Sequence, residues 1–342
     1  MSIHNRRGRR VVLVYNPEAG PQPLPLPVSG RAAGGAAANN PEWLAAVSDY
    51  LRERAPQAEI LPAPTFAAAR AAAHEAAAGG AALVIGAGGD GTLRAVADGL
   101  AHGDTPLGIL PRGTVNVLAR ELRIPLGDPL AACDIALSGE TRRIDLGCIA
   151  DPAGNAPAAP FRHFLLMASV GFDAATVGKV HAPIKGLVGA PAYVLSGVAT
   201  LATFTPFEVT LVLDGVERLS RAFMVVASNV PAYGGDFRIA PDASLDDGLL
   251  DVCVFEAPPG PVHLQRASFV RQMGALALGR HLLDPDVACF RARRISITAE
   301  PPTATQIDGD ALGATPITVG VAPRALSVRV PPPPLLLSGG GR

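Results

Sequence analysis

The feature that most constrains the fold is a strand that runs straight into glycine. Ala81–Gly86 (AALVIG) is an uncharged run that leads at once into Ala87-Gly88-Gly89-Asp90-Gly91-Thr92, and a helical pattern follows over Leu93–Ala101. A short apolar run bounded by turn residues reads as a strand buried on both faces. A buried strand that turns into a helix is half of a βαβ unit, and such units build parallel sheets covered by helices. The same order recurs on both sides. Arg10–Asn16 (RVVLVYN) reads as a buried strand, and Pro41–Arg54 carries Trp43, Leu44, Val47 and Leu51 at helical spacing. Ala58–Pro62 is a strand, and Thr65–Ala78 is an alanine-rich helix. Leu107–Leu110 is a strand that enters a second glycine loop, Pro111-Arg112-Gly113-Thr114-Val115-Asn116, before a helix to Leu122. Residues 1–141 are therefore expected to form a doubly wound α/β domain. In such sheets ligands sit beyond the carboxyl ends of the strands, where both glycine loops fall.

After Arg142 the pattern changes. Ile144–Ile149, Phe164–Val170, Glu208–Leu213, Ala222–Ser228, Leu249–Phe255, Arg294–Thr298 and Ser327–Val330 are strand-like, with turn signals such as Asp214-Gly215 between them. This predicts a second, mostly β domain over 142–331, a β-sandwich with helical insertions near Ala190–Thr203 and Pro261–Leu278. Pro21–Asn40 is a Pro/Gly/Ala-rich loop or insertion, and 332–342 is a flexible tail. Two domains suit 342 residues.

Charge and cysteine usage narrow the function classes. Lys and Arg total 29 against 30 Asp and Glu, so no net field draws the chain to nucleic acid. Cys133, Cys148, Cys253 and Cys289 are far apart with no CxxC, which excludes a cysteine zinc cluster and offers no disulfide framework. A reducing, cytoplasmic compartment is expected. No signal-peptide pattern is evident, and no apolar run reaches the ~18 residues of a membrane span.

The chemistry concentrates in the two loops. Adjacent glycines let backbone N–H groups approach phosphate oxygens with no Cβ in the way, and the following helix N-terminus adds a positive dipole end. Asp90 among phosphates would be repelled unless a cation lay beside it, so it reads either as part of a metal–nucleotide site or as a helix cap. The loop is not GxxxxGK[ST], and it is not GxGxxG. Arg112, Thr114 and Asn116 of the second loop read either as phosphate ligands or as a turn with its cap. Two such loops at neighbouring strand ends would form one crevice.

At this point the chain resembles the diacylglycerol kinase catalytic domain family, which includes sphingosine kinases, ceramide kinases and bacterial lipid kinases. Asn16-Pro17, Gly88–Thr92 and Leu110–Asn116 match in order and spacing. Asp145-Leu146-Gly147 is similar to the family's DxG strand, Gly171-Phe172-Asp173-Ala174 to its GFDA segment, Asn229–Asp251 to its longest block, and Asp308-Gly309-Asp310 to its late DGE. The resemblance spans Arg10 to Val330. It implies that Asn16, Thr65, Gly88, Gly89, Asp90, Gly91, Thr92, Leu93, Arg94 and Thr114 surround ATP, with Arg112 and Asn116 added as phosphate contacts from the reading of the second loop. Asp90 and Asp145 would hold the catalytic Mg²⁺, partly through water. Ser244, Asp247 and Leu249 would hold a second, structural Mg²⁺, Asp247 by its carboxylate and the others by backbone carbonyls. Asp310 would be the general base toward a lipid hydroxyl. The plain alternatives are a solvated acidic turn at Asp242–Asp251 and an ordinary turn at Asp308–Asp310.

Three departures stand out. Asp310 replaces the family's Glu, a carboxylate set back by about 1.5 Å. Val117 stands where many members have Asp, and Ala19 replaces the serine of NPxSG.

On the acceptor side, Ala190–Phe207 is apolar and uncharged, with Val194, Val198 and Leu201 at helical spacing and Lys179, His181 and Lys185 before it. It reads either as an acyl-chain groove beside a membrane surface or as a helix packed on the sandwich. Arg6, Arg7, Arg9 and Arg10 are a further basic cluster. The expectation is an ATP- and Mg²⁺-dependent lipid kinase acting on diacylglycerol, a sphingoid base or a related lipid, in peripheral contact with the membrane. Oligomeric state stays open, a homodimer included. The alternatives are a catalytically weakened nucleotide- or lipid-binding regulator and an NAD kinase, whose Asn-Glu pair and Gly-Ser-Thr-Ala-Tyr-like segment are not found.

Overall fold

The computed structural model describes residues 10–20, 41–150, 163–180, 200–201, 203–235 and 237–333. The apolar stretch 190–199, His181, Lys185, Arg6, Arg7, Arg9, the loop 21–40 and the tail beyond 333 lie outside the described residues.

The first half alternates as its sequence predicts: β1 (Val11–Tyr15), α1 (Pro41–Arg54), β2 (Glu59–Pro62), α2 (Phe66–Ala78), β3 (Leu83–Gly88), α3 (Asp90–Leu100), β4 (Leu107–Pro111), α4 (Val117–Glu121). All four strands are parallel, in the order β2-β1-β3-β4. Val11–Val14 and Leu83–Gly88 are buried along their length, as strands covered on both faces must be. Thr65 caps α2, its hydroxyl accepting the Ala68 N–H at 3.2 Å. Helix α3 begins at Asp90, inside the glycine loop and three residues earlier than the periodicity suggests. A fifth helix, α5 (Pro129–Ser138), was not anticipated. Asp128 caps it by accepting from the Leu130 and Ala131 N–H groups, and Pro129 opens it.

The second half contains β5 (Glu140–Ala150), β6 (His163–Phe164), β7 (Met167–Gly171), α6 (Phe172–Val180), β8 (Phe207–Leu213), β9 (Val216–Ser228), β10 (Ala232–Tyr233), β11 (Phe237–Arg238), β12 (Leu250–Glu256), α7 (Val262–Ala277), β13 (Val287–Ala292), β14 (Arg294–Glu300), β15 (Ala304–Ile307), β16 (Asp310–Ala314) and β17 (Ile317–Val330). Its strand pairs are antiparallel. Alternation does the folding here. Phe207, Val209, Leu211 and Leu213 of β8 face one core with Ile295, Ile297 and Ala299 of β14. Strand β9 is buried on both faces near its end: Ala222, Val225 and Ala227 join that core, while Phe223, Met224 and Val226 face the larger core that runs on into the first half.

The halves are joined through β17, which pairs with β5 along most of its length and meets β4 in parallel at Val328 and Leu107. The β17–β5 register shifts between Ala322 and Leu326, around Pro323 and the left-handed Arg324 (φ 52°). A buried polar contact reinforces the junction. The His163 N–H donates to Asp98 of α3 at 3.1 Å, the ring Nδ1 lies 2.6 Å from the same oxygen, and Arg70 of α2 pairs with the other oxygen at 2.5 Å. Burial alone would raise the Asp98 pKa. The His163 bonds and the Arg70 charge outweigh it and hold Asp98 below its ordinary value.

Candidate active site

The two glycine loops touch backbone to backbone. A Cβ on Gly113 would sit 2.6 Å from Gly89 Cα, and one on Gly89 would sit 3.2 Å from Gly113 Cα. The Arg112 N–H donates to the Gly88 carbonyl at 2.8 Å, which zips the loops together. Asn116, itself left-handed at φ 53°, braces the second loop from within. Its Oδ1 accepts from the Gly113 N–H and its Nδ2 donates to the Gly113 carbonyl, both at 2.7 Å.

Beside this contact opens a cleft of about 340 Å³. Its walls carry Asn16 and Glu18 from the end of β1, Thr65 and Phe66 from the start of α2, Gly89, Gly91 and Thr92 from the first loop, and Gly113 and Thr114 from the second. Among the described residues, one comes from the other half of the chain: Asp310. The Asn16 Nδ2 donates to the Thr92 hydroxyl at 3.5 Å, and Asn16 Oδ1 accepts from the Glu18 N–H at 2.8 Å.

Asp310 is held by Arg94 of α3. The Arg94 guanidinium, buried over the Phe66 ring at 5.0 Å, pairs with the Asp310 carboxylate and donates to the Ile307 carbonyl at 3.0 Å. The turn that presents Asp310 is anchored by Asp308, left-handed at φ 45°. Its carboxylate accepts from Leu165, Leu166 and Met167 N–H groups at 2.7–3.0 Å. This also explains why the strand predicted over Phe164–Val170 splits into β6 and β7: those N–H groups serve the turn instead of a ladder. Desolvation pushes the Asp308 carboxyl up to about 6, against the opposing charge of Arg94 and the three N–H donors. Gly309 is held in turn by Gln306, whose Oε1 accepts its N–H at 2.8 Å. Gln306 Nε2 donates to Ser169 and to Asp173, the aspartate of the GFDA segment, which also accepts from Ser169 and Tyr233. Asp308, Gln306, Ser169 and Tyr233 escaped the sequence reading as supports of the site. An Asp before Gly at a left-handed turn position was the available signal for Asp308. No local pattern marks the other three.

Several residues assigned by resemblance stand elsewhere. The Asp90 side chain turns away from the cleft and caps α4, accepting from the Val117 and Leu118 N–H groups at 3.0 and 3.2 Å. Its burial raises its pKa, partly offset by those donors. Asp145 is fully buried and joins two loops, accepting from the Gly248 and Arg324 N–H groups at 2.6 Å each. Both oxygens of each carboxylate are thus engaged by backbone, and the two do not converge on the cleft. Leu93 is in the hydrophobic core, because its place on α3 faces the sheet. Gly88 lies beneath the loop, where a Cβ would meet Thr92 at 2.4 Å. Arg112 lies over the Trp43 ring at 4.0 Å, and Asn116 serves its own loop, so neither is in the cleft wall.

The acidic turn is likewise occupied by protein groups. Asp247 pairs with Arg291 and accepts the Leu249 N–H at 3.0 Å. The Ser244 hydroxyl donates to Asp246, which pairs with Arg142 at 2.8 Å. Arg291 also lies 3.4 Å from Asp251. Among the described residues no group of three or more His, Cys, Asp or Glu side chains could hold a metal ion. The carboxylates named for Mg²⁺ therefore do not fit as a direct ligand set in this arrangement.

Comparison with known proteins agrees with the two-part organisation. Residues 10–149 match the model of the diacylglycerol kinase catalytic domain, and residues 167–330 match the YegS C-terminal NAD kinase beta sandwich-like domain. The chain is 31% identical over 236 residues to a diacylglycerol kinase of Bacillus subtilis, covering 68% of this chain and 73% of that one. It is 31% identical over 266 residues to a Pseudomonas aeruginosa protein named probable lipid kinase YegS-like, covering 77% and 81%. The crystal structure of a diacylglycerol kinase from Bacillus anthracis superimposes with a TM-score of 0.65 at 21% identity, over 95% of this chain and 97% of that chain, which supports the fold. The parallel α/β half with its paired glycine loops, the β-sandwich half and these matches together place the chain in the diacylglycerol kinase family of lipid kinases.

Proposed function

We propose that the chain transfers the γ-phosphoryl group of ATP to a hydroxyl of a lipid such as diacylglycerol or a sphingoid base. The observation that carries this reading is the placement of Asp310. Among the described residues it is the one acid from the second half in the wall of a cleft otherwise built by the first half. Phosphoryl transfer asks little covalent chemistry of a protein beyond alignment and charge stabilisation. The cleft offers both. The Gly89–Thr92 backbone at the start of α3, with the Thr92 and Thr114 hydroxyls and Asn16, supplies donors and a dipole end toward phosphate. Asp310 accepts the lipid hydroxyl proton as that oxygen attacks the γ-phosphorus and the bond to ADP breaks. Arg94 is a positioning residue: it ties the carboxylate to the helix that cradles the nucleotide, so both reactants are registered on one rigid element.

Nucleotide enters as its Mg²⁺ complex, which supplies neutralising charge. Asp90 caps α4 next to the second loop, and Asp145 ties the Gly248 loop to the β17 bend. Membrane contact is peripheral, because the acceptor is drawn from a bilayer. No helix of the described residues is long and apolar enough to cross one.

The test is a purified chain given γ-labelled ATP with vesicles carrying diacylglycerol or a sphingoid base, and with NAD in parallel. Label in an organic-phase phospholipid supports the reading. Nucleotide binding without transfer would make the chain a regulator, and label in NAD would move it to the NAD kinases.

A further inference from the structure

Outside the cleft, two thiols stand opposite each other on neighbouring strands. Cys253 of β12 and Cys289 of β13 are direct cross-strand partners, with their sulfurs 2.9 Å apart. Directly opposed residues of an antiparallel pair have Cα atoms about 4.5–5.5 Å apart. That separation falls inside the range a disulfide requires, about 4.4–6.8 Å. The two thiols differ in surroundings. Cys253 is buried and donates to the Ile239 carbonyl at 3.2 Å, whereas Cys289 is exposed. The contact with Cys253 lowers the Cys289 pKa, and the same contact together with burial raises that of Cys253. Strand β13 pairs only with β12 among the described strands, so Cys289 lies on a sheet edge that oxidants can reach.

We propose that Cys253 and Cys289 form a reversible, oxidant-sensitive disulfide that staples the edge strand β13 to β12, with a hydroperoxide as the oxidant class. The Cys289 thiolate attacks a peroxide oxygen. An S–O bond forms, the O–O bond breaks, and the leaving oxygen departs as water or alcohol with a proton. Sulfur is oxidised by two electrons and the peroxide is reduced. Cys253 then attacks the Cys289 sulfur. The S–S bond forms, the S–O bond breaks, and water leaves with the Cys253 proton. The other thiols do not compete: Cys133 is buried, with its pKa pushed up to about 12, and burial also raises that of Cys148. The bridge closes the excursion that contains α7, so it holds that helix and the edge strand to the sheet.

The test uses the full chain, reduced and then exposed to a small excess of hydrogen peroxide. Thiol titration should fall from four to two, intact mass should drop by two hydrogens, and peptide mapping should join Cys253 to Cys289. Dithiothreitol should restore both thiols. The oxidised chain should melt at a higher temperature than the reduced chain, and Cys289→Ser should lose both the mass change and the melting shift. Should peroxide carry Cys289 to sulfinic acid while Cys253 stays free, the proposal is overturned. The same holds if both thiols survive an exposure that oxidises small-molecule thiols. Cys253→Ala serves as the second variant: it should trap Cys289 as a sulfenic acid that reacts with dimedone, and absence of that adduct would also count against the pair.

Discussion

Gly91→Ala separates what the glycine loop does for the fold from what it does for the ligand. Gly91 is the second residue of α3, and a Cβ built on it meets no other side chain or backbone atom within 4 Å outside the helix itself. Replacing glycine inside a helix by alanine removes unfolded-state freedom, a gain of about 0.5–1 kcal/mol. Near the midpoint that corresponds to a rise of roughly 1 °C for a chain of 342 residues. The same residue is in the wall of the cleft, so the new methyl takes space that nucleotide would use. Overpacking of this kind costs ~1–3 kcal/mol. In binding that is roughly 5–150-fold. At a nucleotide concentration about 100 times the parent's Kd, ligand stabilises the parent by ~2.7 kcal/mol. A variant weakened 100-fold keeps only ~0.4 kcal/mol by the same relation. Differential scanning fluorimetry with and without ATP reads both quantities in one experiment. The variant should start higher and gain much less on ATP addition. An undiminished ATP-induced rise would refute the placement of nucleotide in this cleft. A lower starting midpoint would refute the account of the helix start.

Gly113→Ala should act in the opposite direction, because its Cβ meets Gly89 Cα at 2.6 Å and backbone cannot rotate away. Urea unfolding should show a loss of ~1–3 kcal/mol, and unchanged stability would contradict the loop contact. Arg94→Lys removes the fork that holds Asp310 and the Ile307 carbonyl together. Turnover should fall about 10–100-fold with little change in the KM for ATP, as expected of misplacement by ~1 Å. An equal loss in ATP affinity would instead assign Arg94 to the nucleotide. Asp308→Asn probes the buried carboxyl. Its native pKa of about 6 lies above its unfolded value, so native Asp308 binds the extra proton and its stabilising contribution is full below the unfolded pKa and lost as pH rises toward 6. The neutral amide has no such slope, so the stability deficit of the variant should narrow between pH 4.5 and 7. A deficit that widens with pH would show that the three N–H donors and Arg94 keep the native carboxylate ionised.

The parallel half was legible because its signals are local. Val11–Val14 and Leu83–Gly86 are uninterrupted apolar runs that can only be buried, and the glycine loops mark the strand ends where ligands collect. The alternation in β8 and β14 was equally readable. Helix α5 was missed because its alanines and single Asp128 cap carry a weak amphipathic pattern in a short stretch. The candidate site was half legible. Asn16, Gly89, Gly91, Thr92, Thr114 and Asp310, named from the family motifs, and Thr65, named from the placement of a helix start, line one cleft. Motif membership says nothing of side-chain direction, however. Asp90 and Asp145 are motif residues whose carboxylates are consumed by backbone N–H groups at α4 and at the β17 bend. The Arg94–Asp310 pair links residues more than two hundred positions apart, and only tertiary structure can bring such partners together. Asp310, one methylene shorter than the family's glutamate, pairs with the buried Arg94 guanidinium, a partner the sequence pattern does not announce.

The most direct measurement of the central claim is single-turnover transfer of labelled phosphate to lipid by the parent and by Asp310→Asn, with ATP affinity measured alongside. Loss of the proton acceptor with the carbonyl oxygen retained should slow transfer by about 10²–10⁴-fold while ATP still binds as in the parent. Transfer at the parental rate would show that an acid from the second half does not complete the cleft, and the assignment of its chemistry would fail.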